Sequence, residues 1–160
     1  MFFRLFSNRL MVLLLAVGVA GNVVAADDHH GHDDHHADAV QLRLNDGAKW
    51  QTDAALRQGM TGVRNKIAAA LPEIHENRLP AGEYQALATQ VNDHLNGIIQ
   101  NCKLPPDADA QLHIVLSDIY AGLAGMREGD DRRSGAVKII KALDAYAEHF
   151  DHAGWQPIAH

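Results

Sequence analysis

Apolar residues recur every three or four positions along four stretches between Trp50 and Trp155. This is the period of an α-helix that buries one face, and no alternating β-branched stretch predicts a strand. The predicted buried faces are Leu56, Met60, Val63, Ile67, Leu71 and Ile74 in the first stretch, Tyr84, Leu87, Val91, Leu95, Ile98 and Cys102 in the second, Leu112, Val115, Leu116, Ile119, Leu123 and Met126 in the third, and Val137, Ile140, Leu143, Ala147 and Phe150 in the fourth.

Clusters of Pro, Gly and Asp separate the four stretches and set the predicted helix ends. The predicted starts are Thr52 as N-cap with Asp53 in the first turn, the region of Pro80, Pro105-Pro106 with Asp107 as cap, and the residue after Gly129-Asp130-Asp131. Pro72 is expected to kink or end the first helix. Short loops between helices of roughly twenty residues favour antiparallel neighbours. We therefore predict an all-α fold, an antiparallel up-down-up-down four-helix bundle over residues 42–160.

The first 26 residues have the features of a cleaved export signal. Arg4 and Arg9 precede an apolar run, Leu10 to Ala20, which is short for a membrane span. Small residues follow up to Ala26, where a signal peptidase is expected to cut. The sequence thus predicts a periplasmic protein with no membrane association after cleavage. Its formal net charge of −6 argues against nucleic acid as a partner.

A His/Asp-rich tail, residues 27–41, follows the signal and is predicted to be disordered. Its first ten residues contain four aspartates, no apolar side chain and the five histidines His29, His30, His32, His35 and His36. Such a segment has nothing to bury in a core. Imidazole is a common metal ligand, so this composition favours capture of metal ions. A solvated hydrophilic spacer is the alternative interpretation.

The cleavage position decides whether the tail has a further chelate. A cut after Ala26 would begin the mature chain with Asp27-Asp28-His29. The terminal amine, two backbone amides and the imidazole of His29 would then supply four nitrogens in the square-planar arrangement that Cu(II) and Ni(II) favour. A cut after Ala25 moves His29 to the fourth position and removes this chelate.

Several potential ligands are expected near one end of the predicted bundle. These are Met60, Cys102, His113, His149 and His152, with His94 somewhat further in. Met60, His94 and His113 are expected at similar heights, and a thioether with two imidazoles suits copper. The alternative is that the methionine is core packing and the histidine a hydrogen-bonded core residue.

Cys102 is the single cysteine of the chain, so it has no partner for an intramolecular disulfide. It is interpreted as a small buried side chain, a metal ligand or one half of an intermolecular disulfide. As a ligand it would form a second cluster with His149 or His152. A thiolate prefers Cu(I) or Zn(II).

Four segments carry a resemblance to known proteins: 44–50 (LNDGAKW), 56–60 (LRQGM), 101–104 (NCKL) and 150–155 (FDHAGW). They resemble a group of small exported bundle proteins of Gram-negative bacteria, and the likeness covers about residues 42–157. This resemblance implies a role in handling metal, especially copper. The architecture is also similar to that of soluble b-type four-helix cytochromes, which would imply haem b held by Met60 and His149.

Motifs of catalysis are absent from the sequence, which has no nucleophile elbow, no phosphate-binding loop and no His-Glu-x-x-His. We therefore expect no enzyme activity. The expected function is periplasmic metal binding, with copper first and zinc or nickel as alternatives. A haem electron carrier and a structural bundle without a ligand remain open. The expected partners are metal ions, with a periplasmic metal-transfer protein or a second copy of this chain as further candidates.

Overall fold

The computed structural model describes residues 41–159. Its elements are β1 (Trp50–Gln51), α1 (Ala54–His75), α2 (Ala81–Asn101), α3 (Pro106–Glu128), α4 (Arg132–His149) and β2 (Phe150–Asp151). Short turns join the helices, and each helix packs against its neighbours in the chain. The predicted all-α four-helix bundle is confirmed. The predicted signal peptide and His/Asp-rich tail lie outside the described residues.

The start of α1 differs by one residue from the prediction. Asp53, not Thr52, is the N-cap, and its carboxylate accepts a hydrogen bond of 2.7 Å from the Leu56 amide. The Thr52 hydroxyl instead donates to the Asp151 carbonyl at 2.6 Å. Both residue types cap helices well, so contacts outside the helix decide between them here.

Two helix boundaries near prolines also differ from the predicted ones. The first helix does not end at Pro72 but continues to His75. Helix α3 begins at Pro106 with Pro105 as its N-cap residue, so Asp107 lies in the first turn and is not the cap. Proline fits the first position of a helix because the amide hydrogen it lacks would have no partner there.

The core runs along the bundle axis and contains nearly all the predicted apolar residues. The prediction was wrong at Val137, which is 38% exposed, and at Ala147, which is half-buried and not part of the core. In α4 the buried face instead includes Ala136, Ile139 and Tyr146 in addition to Ile140 and Leu143. Among residues 41–159, no helix is long and apolar enough to cross a membrane.

Helices α3 and α4 approach each other most closely at three glycines. A Cβ atom added to Gly135 would lie 2.6 Å from the Gly122 carbonyl oxygen and 2.6 Å from the Met126 nitrogen. A Cβ atom added to Gly125 would lie 3.2 Å from the Gly135 Cα. The two backbones are therefore in contact, and glycine is required where they cross.

Two short segments close one end of the bundle. Before α1, residues 45–48 form a turn in which Asp46 and Gly47 have φ angles of 48° and 87°. The strand β1 that follows pairs in parallel with β2, and the sequence pattern gave no indication of this pairing. We call residues 150–158 the C-terminal segment. It ends with Ile158 buried against the core.

Candidate functional site at one end of the bundle

Asp53 joins the start of α1 to the end of α2. One carboxylate oxygen caps α1, and the other accepts a hydrogen bond of 2.6 Å from the Lys103 amide. Burial alone would raise the pKa of Asp53, but the hydrogen bonds from the Leu56 and Lys103 amides and from Cys102 outweigh it, and the pKa is lowered. Asp53 is therefore a fixed negative charge at this end.

Cys102 ends α2 beside that charge and is half-buried. Burial raises the pKa of its thiol to about 11, and the charge of Asp53 and its hydrogen bond with the thiol contribute in the same direction. Below this pKa the thiol is neutral and donates to the carboxylate. Metal binding by Cys102 would thus have to remove its proton and break this hydrogen bond.

His152 lies between α1 and α4 in a cluster of aromatic rings. Its Nδ1 is 2.9 Å from the Tyr146 hydroxyl oxygen, and its Nε2 is 3.4 Å from the Thr61 hydroxyl oxygen. The Trp155 ring lies 5.0 Å from the His152 ring and 5.1 Å from Tyr146, which stacks on Phe150 at 5.1 Å. Both nitrogens of His152 are therefore engaged within the protein.

The environment of His152 disfavours its charged form. Burial lowers the pKa of His152, and the positive charge of Arg57 lowers it further. Burial also raises the pKa of the Tyr146 hydroxyl, which Arg57 partly opposes. At neutral pH the hydrogen-bonded pair consists of a neutral phenol and a neutral imidazole.

We expect acid to destabilise the bundle in part through His152. Because its pKa in the folded chain lies below the ordinary 6.5, the unfolded chain takes up the proton more readily. The stabilisation is present above about pH 6.5 and is lost as the pH falls through the pKa of the folded state. Melting temperatures measured between about pH 7.5 and 5 should fall less steeply for His152→Gln than for the unmodified protein. The same substitution at exposed His113 controls for the loss of a histidine, and equal slopes for His152→Gln and the unmodified protein would contradict this assignment.

The structure places Met60 and His94 on different sides of α1. Met60 is fully buried in the core. The His94 ring packs on Gly62, where an added Cβ atom would lie 2.4 Å from the ring Nδ1. Gly62 follows Met60 by two residues, which is about 200° around a helix. The His94 ring therefore contacts the side of α1 that faces away from Met60, and the structure does not bring the two together as the sequence analysis expected.

His113 and His149 have a different geometry, in which Nδ1 of each ring is hydrogen-bonded to a carbonyl of its own helix. The His113 Nδ1 lies 2.9 Å from the Asp109 carbonyl oxygen, and the His149 Nδ1 lies 2.8 Å from the Ala145 carbonyl oxygen. Because a carbonyl only accepts, Nδ1 carries the hydrogen in both rings, which leaves the lone pair of the neutral imidazole on Nε2. Metal-binding histidines commonly show this arrangement.

The candidate ligands are thus spread over the bundle. His113 is exposed, Met60 is buried, and His94, Cys102, His149 and His152 are half-buried. Within residues 41–159, no group of three or more His, Cys, Asp or Glu side chains is positioned to hold one metal ion. The tail histidines His29, His30, His32, His35 and His36 lie outside the described residues.

The haem alternative would use Met60 and His149. The Met60 side chain has no exposed surface and belongs to the hydrophobic core. His149 is the last residue of α4, and its ring is hydrogen-bonded to that helix. A haem at this position would require the core around Met60 to open.

Three residues at this end of the bundle were not predicted to belong to the site. These are Asp53, which was expected only in the first turn of α1, Arg57 and Tyr146. A Tyr on the core face of α4, six residues before a histidine, was the available signal for the Tyr146–His152 pair. Comparisons with protein-family models, curated proteins and solved structures give no match for this chain.

Proposed function

We propose that this protein is exported to the periplasm and binds transition-metal ions there, with copper first and zinc or nickel next. The observation that carries the proposal is the density of ligands in residues 27–36, where five of ten residues are histidines and four are aspartates. Neutral imidazole binds copper, nickel and zinc, and the aspartates attract dications to the segment.

In this proposal the bundle is a domain with its own core, to which the ligand-rich segment is attached. The core of the described residues is formed by side chains between Leu56 and Ile158, and residues 27–36 have no apolar side chain that could add to it. His113 and His149 add two imidazoles whose Nε2 lone pairs are not used by a hydrogen bond within residues 41–159. We propose that they are additional weak ligands at the surface.

The test is metal titration of the full chain and of a variant that lacks residues 27–39. We expect the deletion to remove most of the bound Cu(II), Zn(II) and Ni(II) ions while the melting temperature of the metal-free protein stays within about 2 °C, because the only apolar side chains among the deleted residues are those of Ala37 and Ala39. Calorimetry measures the number of ions, and circular dichroism measures the melting temperature.

Two matched variants separate imidazole from carboxylate binding. The first replaces the five histidines between His29 and His36 by Asn, and the second replaces the four aspartates between Asp27 and Asp34 by Asn. We expect the first to lose most of the capacity and the second to keep it with weaker affinity. If the deletion variant binds as many ions as the full chain, the proposal is wrong.

A further inference from the structure

Two arginines lie on the same side of α1, and their hydrogen bonds differ. Arg57 and Arg64 are seven residues apart, which is about two helical turns, so their side chains leave the helix in nearly the same direction. Both are half-buried, and both reach toward the C-terminal segment. They provide a direct comparison between two guanidinium groups in similar surroundings.

Arg64 has a partner for each of its nitrogens. Nε donates to the Gln156 carbonyl oxygen at 2.8 Å, and Nη2 donates to the Pro157 carbonyl oxygen at 3.2 Å. Nη1 donates to the side-chain oxygen of Asn65 at 3.1 Å. The Nε and Nη2 hydrogens point the same way, and this edge of Arg64 thus holds two oxygen atoms side by side.

The same edge of Arg57 has no protein partner in the described part of the chain. Its Nη1 donates to the Thr52 carbonyl oxygen at 2.6 Å and to the Thr52 hydroxyl oxygen at 3.2 Å. Among residues 41–159, no hydrogen bond uses Nε or Nη2, and Arg57 forms no ion pair. Asp53, one turn earlier, is bound to the Leu56 and Lys103 amides.

The position of the guanidinium group is fixed by this bonding. Thr52, which accepts from Nη1, also donates to the Asp151 carbonyl, so Arg57 is held beside the residue that precedes His152. The charge of Arg57 acts on both His152 and Tyr146. The Nε–Nη2 edge of Arg57 therefore lies at the same end of the bundle as Trp155 and His152.

We propose that the Nε–Nη2 edge of Arg57 binds a small-molecule carboxylate, whose two oxygens would take the places that the Gln156 and Pro157 carbonyls take at Arg64. Two parallel donors match the two oxygens of a planar carboxylate, and a charged acceptor strengthens both bonds. This site is separate from the proposed metal binding and does not depend on it.

Acetate titration of the unmodified full chain, labelled with ¹⁵N, tests the proposal. Sodium chloride keeps the ionic strength constant, and the buffer is free of metal. We expect a saturable shift of the Arg57 Nε signal, accompanied by a shift of the Trp155 indole signal. A linear response without saturation at Arg57 would overturn the proposal. This measurement uses the unmodified protein, so it does not depend on whether a variant folds.

Three variants show which atoms bind. Arg57→Gln should weaken acetate binding at least tenfold, and Arg57→Lys, which keeps the charge but lacks the two-donor edge, at least fivefold. Arg64→Gln is the matched control and should stay within twofold of the unmodified protein. Full affinity in Arg57→Lys would overturn the two-donor geometry, and tighter binding of inorganic phosphate than of acetate would overturn the choice of a carboxylate.

Discussion

Replacing Gly135 by alanine should lower the free energy of unfolding by about 3 kcal/mol, at the upper end of the cost of overpacking a core. The added methyl group would lie within 3.0 Å of the Gly122 carbonyl oxygen, the Met126 nitrogen and the Gly125 carbonyl carbon. All three are backbone atoms that cannot rotate away, so α3 and α4 must move apart. In a domain of this size the melting temperature should fall by roughly 10 °C.

The matched control is Gly97→Ala on the outer face of α2. A Cβ atom at Gly97 would have no neighbour within 4 Å. Alanine in the middle of a helix is better than glycine by about 0.5–1 kcal/mol, so this variant should be slightly more stable than the unmodified protein. Urea unfolding of both variants measures the two effects. A Gly135→Ala protein as stable as Gly97→Ala would show that the helices do not cross closely at residue 135.

These glycines also explain why the face of α4 was predicted incompletely. The apolar pattern included Val137, but the close crossing at Gly135 turns that side of the helix toward α3 and leaves Val137 partly exposed. Gly135 and Ala136 count little in an apolar pattern, although both are buried and the backbone of Gly135 lies against that of α3. The long side chains of α1, α2 and α3 were predicted correctly because packing of large apolar residues dominates there.

The position of His94 shows the same limit for the candidate site. His94 was predicted at a height similar to that of Met60, and in the structure its backbone oxygen would lie 3.2 Å from a Cβ atom added to Gly59. The sequence pattern did not show that Gly62 leaves space for the His94 ring between α1 and α2. A glycine on one helix opposite a histidine on the next is a pattern that sequence analysis can use.

The cluster around Asp53 and His152 depended on contacts between residues far apart in the chain. The bond from Asp53 to the Lys103 amide and the pairing of β1 with β2 join segments about 50 and 100 residues apart. No periodic pattern encodes such contacts. The up-down-up-down order predicted Met60, Cys102, His113, His149 and His152 toward one end, but it could not predict the hydrogen bonds of Cys102 with Asp53 and of His152 with Tyr146, which determine the chemistry of these two side chains.

Cys102 should react with iodoacetamide at about pH 8 on the order of two hundredfold more slowly than a free cysteine of a model peptide. With its pKa raised to about 11, on the order of one thiol in a thousand is ionised at that pH. A model cysteine, with a pKa of about 8.5, is about one-quarter ionised. Since the thiolate is the reacting form, the rates should differ accordingly and should become similar in concentrated urea.

Asp53→Asn tests the cause of this low reactivity. Asparagine caps helices about as well as aspartate, so α1 should keep its start, while the negative charge beside the thiol and the hydrogen bond accepted from the Lys103 amide are both lost. The pKa of Cys102 should fall, and alkylation at about pH 8 should become several-fold faster. Asp109→Asn is the matched control, because the charge of Asp109 raises the same pKa less than that of Asp53. Rates that are equal in Asp53→Asn and Asp109→Asn would show that burial, and not Asp53, keeps the thiol neutral. A fast rate in the unmodified protein would instead mean that Cys102 is already a thiolate and available to a soft metal ion.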